Sequence, residues 1–336
     1  MVIHKFGQLM LRYHHNSDYL TINEIWNNVK HVDNQLKSLS KIDDNVVANK
    51  SRFISAQQML SIDNITINKK QCNQLYGKDL LLVVMVFTRV NAFSRRKTIR
   101  ETWAQDMRSD NRTRVYFAIA HDEKQEIQEK VILEDNEFND IIQFGYNEDY
   151  FKCTIKSIGL LRWTAINCPF VKYMMKLDDD SFIISDNLMK YVETSYGNSI
   201  IGHLWTNVMV KRNPLSKWYL SYEETPNSRF PDFIGGPSLI PGCYCLALYE
   251  TTITQFMPAL PFEDVLITGL VANHLNIKRE DLISELFIGP EYDVNSVDIC
   301  QYQQMAVIWQ RLTDKIIRRF WQISRNFLFN CYYSVI

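Results

Sequence analysis

Lys176-Leu177-Asp178-Asp179-Asp180-Ser181-Phe182 follows directly on the apolar run Tyr173-Met174-Met175, and the reading of this stretch decides the rest. Three adjacent carboxylates repel one another, and a folded protein seldom gathers them at a strand end without a cation. Carboxylate oxygens suit a hard divalent ion such as Mg²⁺ or Mn²⁺. Such an ion commonly neutralises a phosphate-bearing substrate. Taken alone, the triplet reads equally well as a solvated acidic turn, or as a helix N-terminus capped by Asp180 or Ser181.

Working outward, Val171 to Leu177 reads as the strand that delivers the triplet, and Asn187 to Tyr196 as a helix beyond it. Upstream, the continuous apolar run Leu80 to Phe87 has strand length and suits a central strand covered on both faces. Ser94 to Trp103 follows as a helix with Ser94 as candidate cap, placing Arg96 and Arg100 one turn apart. Arg114 to Ala120 and Ile141 to Phe144 read as further strands. Residues 151–166 read as a helix with Ile155, Ile158, Leu161 and Trp163 on its apolar side. Strands alternating with helices predict an α/β domain with a mainly parallel sheet. Ligands of such sheets bind beyond the carboxyl ends of the strands, where this pattern puts Asp178 to Asp180.

Composition bounds the class. The 336 residues are 46% hydrophobic and 12% aromatic, enough for a core and too apolar for general disorder. A formal net charge of −1 offers no field for nucleic acid or an anionic membrane. The small basic cluster Lys315 to Arg319 reads as a solvated helical face. Seven scattered cysteines lack zinc-site spacing, and their odd number neither proves nor excludes disulfides. Asn49, Asn64 and Asn111 each open an Asn-x-Ser/Thr acceptor, a weak hint of the secretory route. The longest apolar stretch is about eight residues, whereas a membrane span needs roughly 20. The N-terminus also lacks a signal-peptide core, so on these grounds alone the chain reads as soluble and cytosolic. Residues 1–75, rich in Asn, Lys, Asp and Ser, read as a stem with one or two short helices outside the main core, 76–325 as the catalytic domain and 326–336 as a tail.

Several motifs in register resemble the β-1,3-galactosyltransferases and their β-1,3-N-acetylglucosaminyltransferase relatives. Arg96-Lys97-Thr98-Ile99-Arg100-Glu101-Thr102-Trp103 resembles the family's RxxxRxTW, and Tyr150 to Cys168 its helix ending in Trp and then Cys-Pro. Lys176 to Phe182 is similar to its K-x-DDD-x-F segment. Ser216 to Ser221 with Glu223-Glu224, then Phe230 to Phe233, resembles its KWYVS-EE-YPPY region, and Pro261 to Val265 its P-x-EDV. The resemblance covers about residues 79–322.

The resemblance implies a GT-A type fold with a single Rossmann-like sheet. It implies an inverting hexosyltransferase that uses a UDP-sugar donor with Mn²⁺ (or Mg²⁺) and a glycoprotein or glycolipid acceptor. It also implies the Golgi lumen, behind a membrane anchor that this sequence does not show. By the same resemblance Asp180, with Asp178, contacts the metal. Asp178 and Asp179 stand toward the nucleotide with Lys176, and Arg96 and Arg100 are candidates for the diphosphate, with structural ion pairs as their alternative. Asp264 is the expected base and Glu263 its substitute; the other reading of Asp264 is a charge complementing a helix dipole. Trp218 and Tyr219 are expected to stack on sugar, with burial as the alternative, and Glu223 and Glu224 to line or buttress the acceptor side, with a solvated face as theirs.

Two departures from the family bear on activity. Gly235 to Pro241 reads as an insertion, bracketed by Pro237 and Pro241, that interrupts the family's glycine-rich strand. Nine residues after Cys300, where the family carries a His near the metal, stands Trp309, and His274 would substitute only if the fold brought it close. These departures motivate an alternative reading, a catalytically inactive member that binds a glycan or a partner. An aspartyl phosphatase is disfavoured, because Phe182 occupies the position where that chemistry wants Thr or Val.

Overall fold

Leu82 to Phe87 forms β1, and burial of all six side chains explains why the run carries no polar residue. The computed structural model describes residues 20–41, 52–60, 67, 72–149, 152–282, 287–288, 305–309 and 311–325. Asn49, Asn64, Cys300, Cys331 and the tail 326–336 lie outside them.

The other strands of the main sheet are β2 (Thr113–His121), β3 (Ile141–Asn147), β4 (Tyr173–Asp178), β6 (Ile200–Trp205), β7 (Phe233–Pro241) and β8 (Arg279–Asp281). The order is β3-β2-β1-β4-β7-β6-β8. Only β7 runs against its neighbours; β4 and β6, on either side of it, pair with it antiparallel. The sheet is therefore mostly parallel, as the alternation of strands and helices predicts. A second sheet joins β5 (Phe182–Ile183), β10 (Val307–Ile308) and β9 (Phe287–Ile288), with β10 in the middle.

The period-two alternation of the strands divides the core. Leu82, Val84, Val86, Tyr173, Met175 and Leu177 pack on one face with Ile99, Trp103, Leu188 and Trp309. Val83, Met85, Met174 and Ile240 pack on the other with Ile158, Leu161, Trp163 and Leu248. Trp103 and Trp163 are fully buried, as core residues. The first helix after β1 is Phe93–Arg100 and takes no side-chain cap; Ser94 lies inside it and its hydroxyl donates to Asp314.

Two expectations are corrected here. The stretch 1–75 does not stand wholly outside the core. Thr21 and Glu24 form a capping box that opens the helix Ile22–Ser40. That helix buries Ile25, Val29, Val32 and Leu36, one apolar stripe at spacings of three and four, in the main cluster. Asp33 accepts from Arg162 at 2.6 and 3.0 Å and from the Tyr249 hydroxyl at 2.7 Å, which ties the helix to two core helices.

The second correction concerns Gly235 to Pro241, which does not interrupt the strand. β7 runs unbroken through it as a central strand. Gly202 opposes Ser238 and His203 opposes Gly235, so Gly236 and Pro237 bulge out without partners on β6. A proline has no N–H to lose at a bulge, and Pro241 ends the strand opposite Tyr173.

Candidate active site

The parallel register of β1 and β4 sets Asp178 beside Phe87 at the carboxyl edge of the sheet. Beyond it, the backbone N–H of Asp179 donates to Phe87 O at 3.0 Å and turns the chain. Asp180 then fastens the segment after β10. Its Oδ2 accepts from the Arg311 N–H at 2.9 Å, and its carbonyl accepts from the Leu312 N–H at 3.2 Å.

Two residues back along β4, the buried Lys176 side chain crosses to the other half of the site. Its Nζ donates to Glu263 Oε1 at 2.8 Å and to Asp264 Oδ1 at 3.3 Å. These two acids immediately precede the π-turned helix Val265–Val271, which continues as Ala272–His274. A second donor holds Asp264, since the Gly236 N–H meets its Oδ2 at 3.2 Å. Thr268 secures the helix to β7 by exchanging hydrogen bonds with Ile234 N and O at 2.9 and 2.8 Å.

The electrostatics follow from this crowding. Burial pulls the Lys176 ammonium down, but the charges of Asp178, Asp264 and Glu263 outweigh it and hold the group well above the usual lysine range. Burial also raises Glu263, yet the charge and hydrogen bond of Lys176 prevail and keep it below the ordinary value. For Asp264, burial dominates with Glu263 adding repulsion, and its carboxyl is pushed up to about 7. Burial raises Asp178 as well, opposed by Lys176 and reinforced by Glu263 and Asp180. Burial likewise raises Asp179. Asp178, Asp180, Glu263, Asp264 and Lys176 therefore share one electrostatic neighbourhood.

Several expected residues join this cluster and others do not. Trp218 is half-exposed and stands edge-on to Phe262, next to Glu263, with ring centroids 5.4 Å apart. Tyr219 turns to Arg52, which lies 5.5 Å over its ring and donates to its carbonyl. Glu223 is exposed. Glu224 accepts from the Ser221 N–H at 2.6 Å within its own turn.

Arg96 and Arg100 are corrected. Arg96 is fully buried, with its donors taken by Glu134 and by the carbonyls of Arg89 and Val90. Arg100 pairs with Glu134 at 2.6 Å and with Asp140 at 2.8 Å. Guanidinium groups buried and paired in this way are directed to structural partners, and not to a diphosphate. Lys176 is directed to Glu263 and Asp264 rather than to a nucleotide. His274 sits exposed at a helix end, edge-on to Phe256 at 5.8 Å.

Sequence reasoning missed Lys156, the bulge glycine Gly236 and the backbone of Arg311. Lys156 is buried, donates to Thr88 O at 3.1 Å and to Glu148 at 3.2 Å, and its charge favours ionisation of Asp178 and Glu263. A lysine within the apolar side of the helix Cys153–Asn167 was the available signal.

Carboxylate oxygens at the end of β4 suit a hard divalent ion, and the burial that raises Asp178, with the added repulsion of Glu263 and Asp180, is what such an ion would offset. Among the described residues no group of three or more His, Cys, Asp or Glu side chains is placed to hold a metal. Among the described residues, Asp178 and Asp180 are the candidates to hold such an ion.

Comparison with known proteins bears on the family of the chain. A family model described as galactosyltransferase matches residues 94–283, more than half of the chain. The lactosylceramide 1,3-N-acetyl-β-D-glucosaminyltransferase of Homo sapiens is 28% identical over 287 residues, covering 79% of this chain and 73% of that protein. The β-1,3-galactosyltransferase 5 of Homo sapiens is 29% identical over 251 residues, covering 73% and 78%. Among solved structures, a galactosyltransferase in complex with donor and acceptor sugar analogues aligns with a TM-score of 0.38 at 10% identity, covering 73% of this chain and 95% of that one. The chain belongs to the galactosyltransferase family and is a glycosyltransferase.

Proposed function

We propose that this protein transfers a hexose, galactose or N-acetylglucosamine, from a UDP-sugar to a glycan acceptor in β-1,3 linkage, with inversion at the anomeric carbon. The observation that carries the reading is Lys176, which joins Glu263 and Asp264 to the strand ending in Asp178 to Asp180. One site thus offers acids for a diphosphate-bound cation and a separate carboxylate for an acceptor hydroxyl.

Asp264 is the base. A carboxyl raised toward neutrality is matched to accepting a proton at working pH. The acceptor oxygen forms a bond to the anomeric carbon while the bond from that carbon to the diphosphate oxygen breaks. UDP leaves with the electron pair, and the hydroxyl proton passes to Asp264. Lys176 and the Gly236 N–H orient the carboxylate from two sides. Mn²⁺ or Mg²⁺ held by Asp180 and Asp178 would supply charge neutralisation for the departing diphosphate. Trp218 offers a face to the sugar beside Phe262.

The Cys72–Cys168 disulfide favours an oxidising compartment such as the Golgi lumen. Among the described residues no helix is long and apolar enough to cross a membrane. β7 runs continuously through residues 235–241, which favours the catalytic reading over the inactive one.

Transfer from UDP-galactose and UDP-N-acetylglucosamine, with and without Mn²⁺, tests the proposal. Wild type should turn over one of them only with metal, and Asp180→Ala and Asp264→Asn should both lose transfer. Full turnover by Asp180→Ala would refute the metal assignment. Full turnover by Asp264→Asn would move the base to Glu263.

A further inference from the structure

The bulge in β7 is unusually well built for a departure from regular pairing. Gly236 has φ +78°, the left-handed region that favours glycine. Gly236 and Pro237 have no partners on β6, and pairing to β4 reaches only as far as Ser238. The Gly236 N–H is thereby released from the ladder, and it is the group that donates to Asp264 Oδ2.

Three neighbours make the geometry possible. A Cβ at Gly202 would lie 2.5 Å from the Pro237 carbonyl, so that glycine makes room for the bulge to fold over β6. A Cβ at Gly235 would lie 2.7 Å from the Trp205 ring. A Cβ at Gly236 would lie 2.6 Å from the Trp309 ring, so the indole is seated directly on the glycine. Trp309 is buried at 3% exposure and stands edge-on to His203, with centroids 6.1 Å apart. Two residues later, Arg311 holds Asp180 through its backbone N–H. Trp309 and Arg311 therefore touch the two halves of the site, Trp309 the bulge that grips Asp264 and Arg311 the acid at the end of the triplet.

We propose that Trp309 is a positioning residue for the transfer reaction: it clamps the Gly236–Pro237 bulge so that the freed N–H fixes the Asp264 carboxylate toward the acceptor hydroxyl. The proposal rests on the assignment of Asp264 as base. The shape of the indole matters here, since a flat ring can lie on a glycine that admits no side chain. A bulge that re-aims a backbone group beside reacting atoms is a recurrent use of this irregularity. A small misplacement of a base is costly in rate without touching affinity.

The test measures kcat, and KM for donor and acceptor, in Trp309→Phe, Trp309→Ala, Gly236→Ala and Asp264→Asn, with near-ultraviolet circular dichroism as the check on folding. Trp309→Phe keeps a flat ring on Gly236 and should stay within about twofold of wild type. Trp309→Ala should lower kcat about tenfold with both KM values within about twofold. If Trp309→Ala does not fold, Gly236→Ala decides, with the same loss in kcat expected. A folded Trp309→Ala or Gly236→Ala with wild-type kcat overturns the proposal, as does a loss carried by KM. An inactive Asp264→Asn beside an unaffected Trp309→Ala removes the clamp alone. An Asp264→Asn of full activity removes the base assignment and the clamp with it.

Discussion

Asp264 keeps its two carboxylate oxygens on different donors, Lys176 on one and the Gly236 N–H on the other. That arrangement orients the group and leaves it basic, because burial and Glu263 raise its carboxyl against the opposing charge of Lys176. The sign of the pH dependence follows. A base with a carboxyl near 7 must be deprotonated to act, so kcat/KM should rise from pH 6 to pH 8 and then level; a flat profile over that range would exclude Asp264. Lys176 lowers the Asp264 value, so Lys176→Met should displace the rising limb to higher pH. A limb that stayed in place in this variant would show that another group titrates. The sequence made Asp264 a candidate through Pro261 to Val265, but nothing in it announced Gly236 as a partner, since a backbone donor has no signature of its own.

At the scale of elements, the helix Ile22–Ser40 is the clearest case of information present and passed over. Thr21-Ile22-Asn23-Glu24 is a capping box, and Ile25, Val29, Val32 and Leu36 form a stripe; the polar residues between them diluted the signal. Asp33 reaches Arg162 and Tyr249 in a partly buried setting, so Asp33→Ala should destabilise the fold by about 2–3 kcal/mol in urea denaturation. A chain shortened to begin at residue 76 should expose the apolar surface this helix covers, aggregate, and melt lower than one beginning at residue 20. Equal melting of the two would restore the reading of 1–75 as a dispensable stem. The pairs of Arg96 and Arg100 with Glu134 and Asp140 belong to this scale too, since they fix the helix Phe93–Arg100 against the helix Gln125–Phe138 and the start of β3.

Across the whole molecule, the sheet places the acids at the ends of β4 while the disulfide pins the entry to the domain. Cys72 and Cys168 are 96 residues apart, and closing so long a loop restricts the unfolded chain. Replacing both by Ser should lower stability by about 2–4 kcal/mol, read from the shift in denaturation midpoint, while transfer activity of the folded fraction persists. Unchanged stability would mean the bond does not form in solution.

Hydrophobic runs and their spacing determined by themselves that this is an α/β protein with β1 as a central strand, and that Asp178 to Asp180 close a strand edge. Local patterns suffice for that, because strand burial and turn chemistry are written in neighbouring residues. Whether Arg96 and Arg100 meet substrate or Glu134 and Asp140 was settled only by tertiary structure, as was the passage of β7 through two prolines by means of a bulge. So was the joining of residues 176, 236, 264 and 309. Those outcomes depend on contacts between segments tens of residues or more apart, and on a backbone N–H whose direction is decided by packing and not by the identity of its residue.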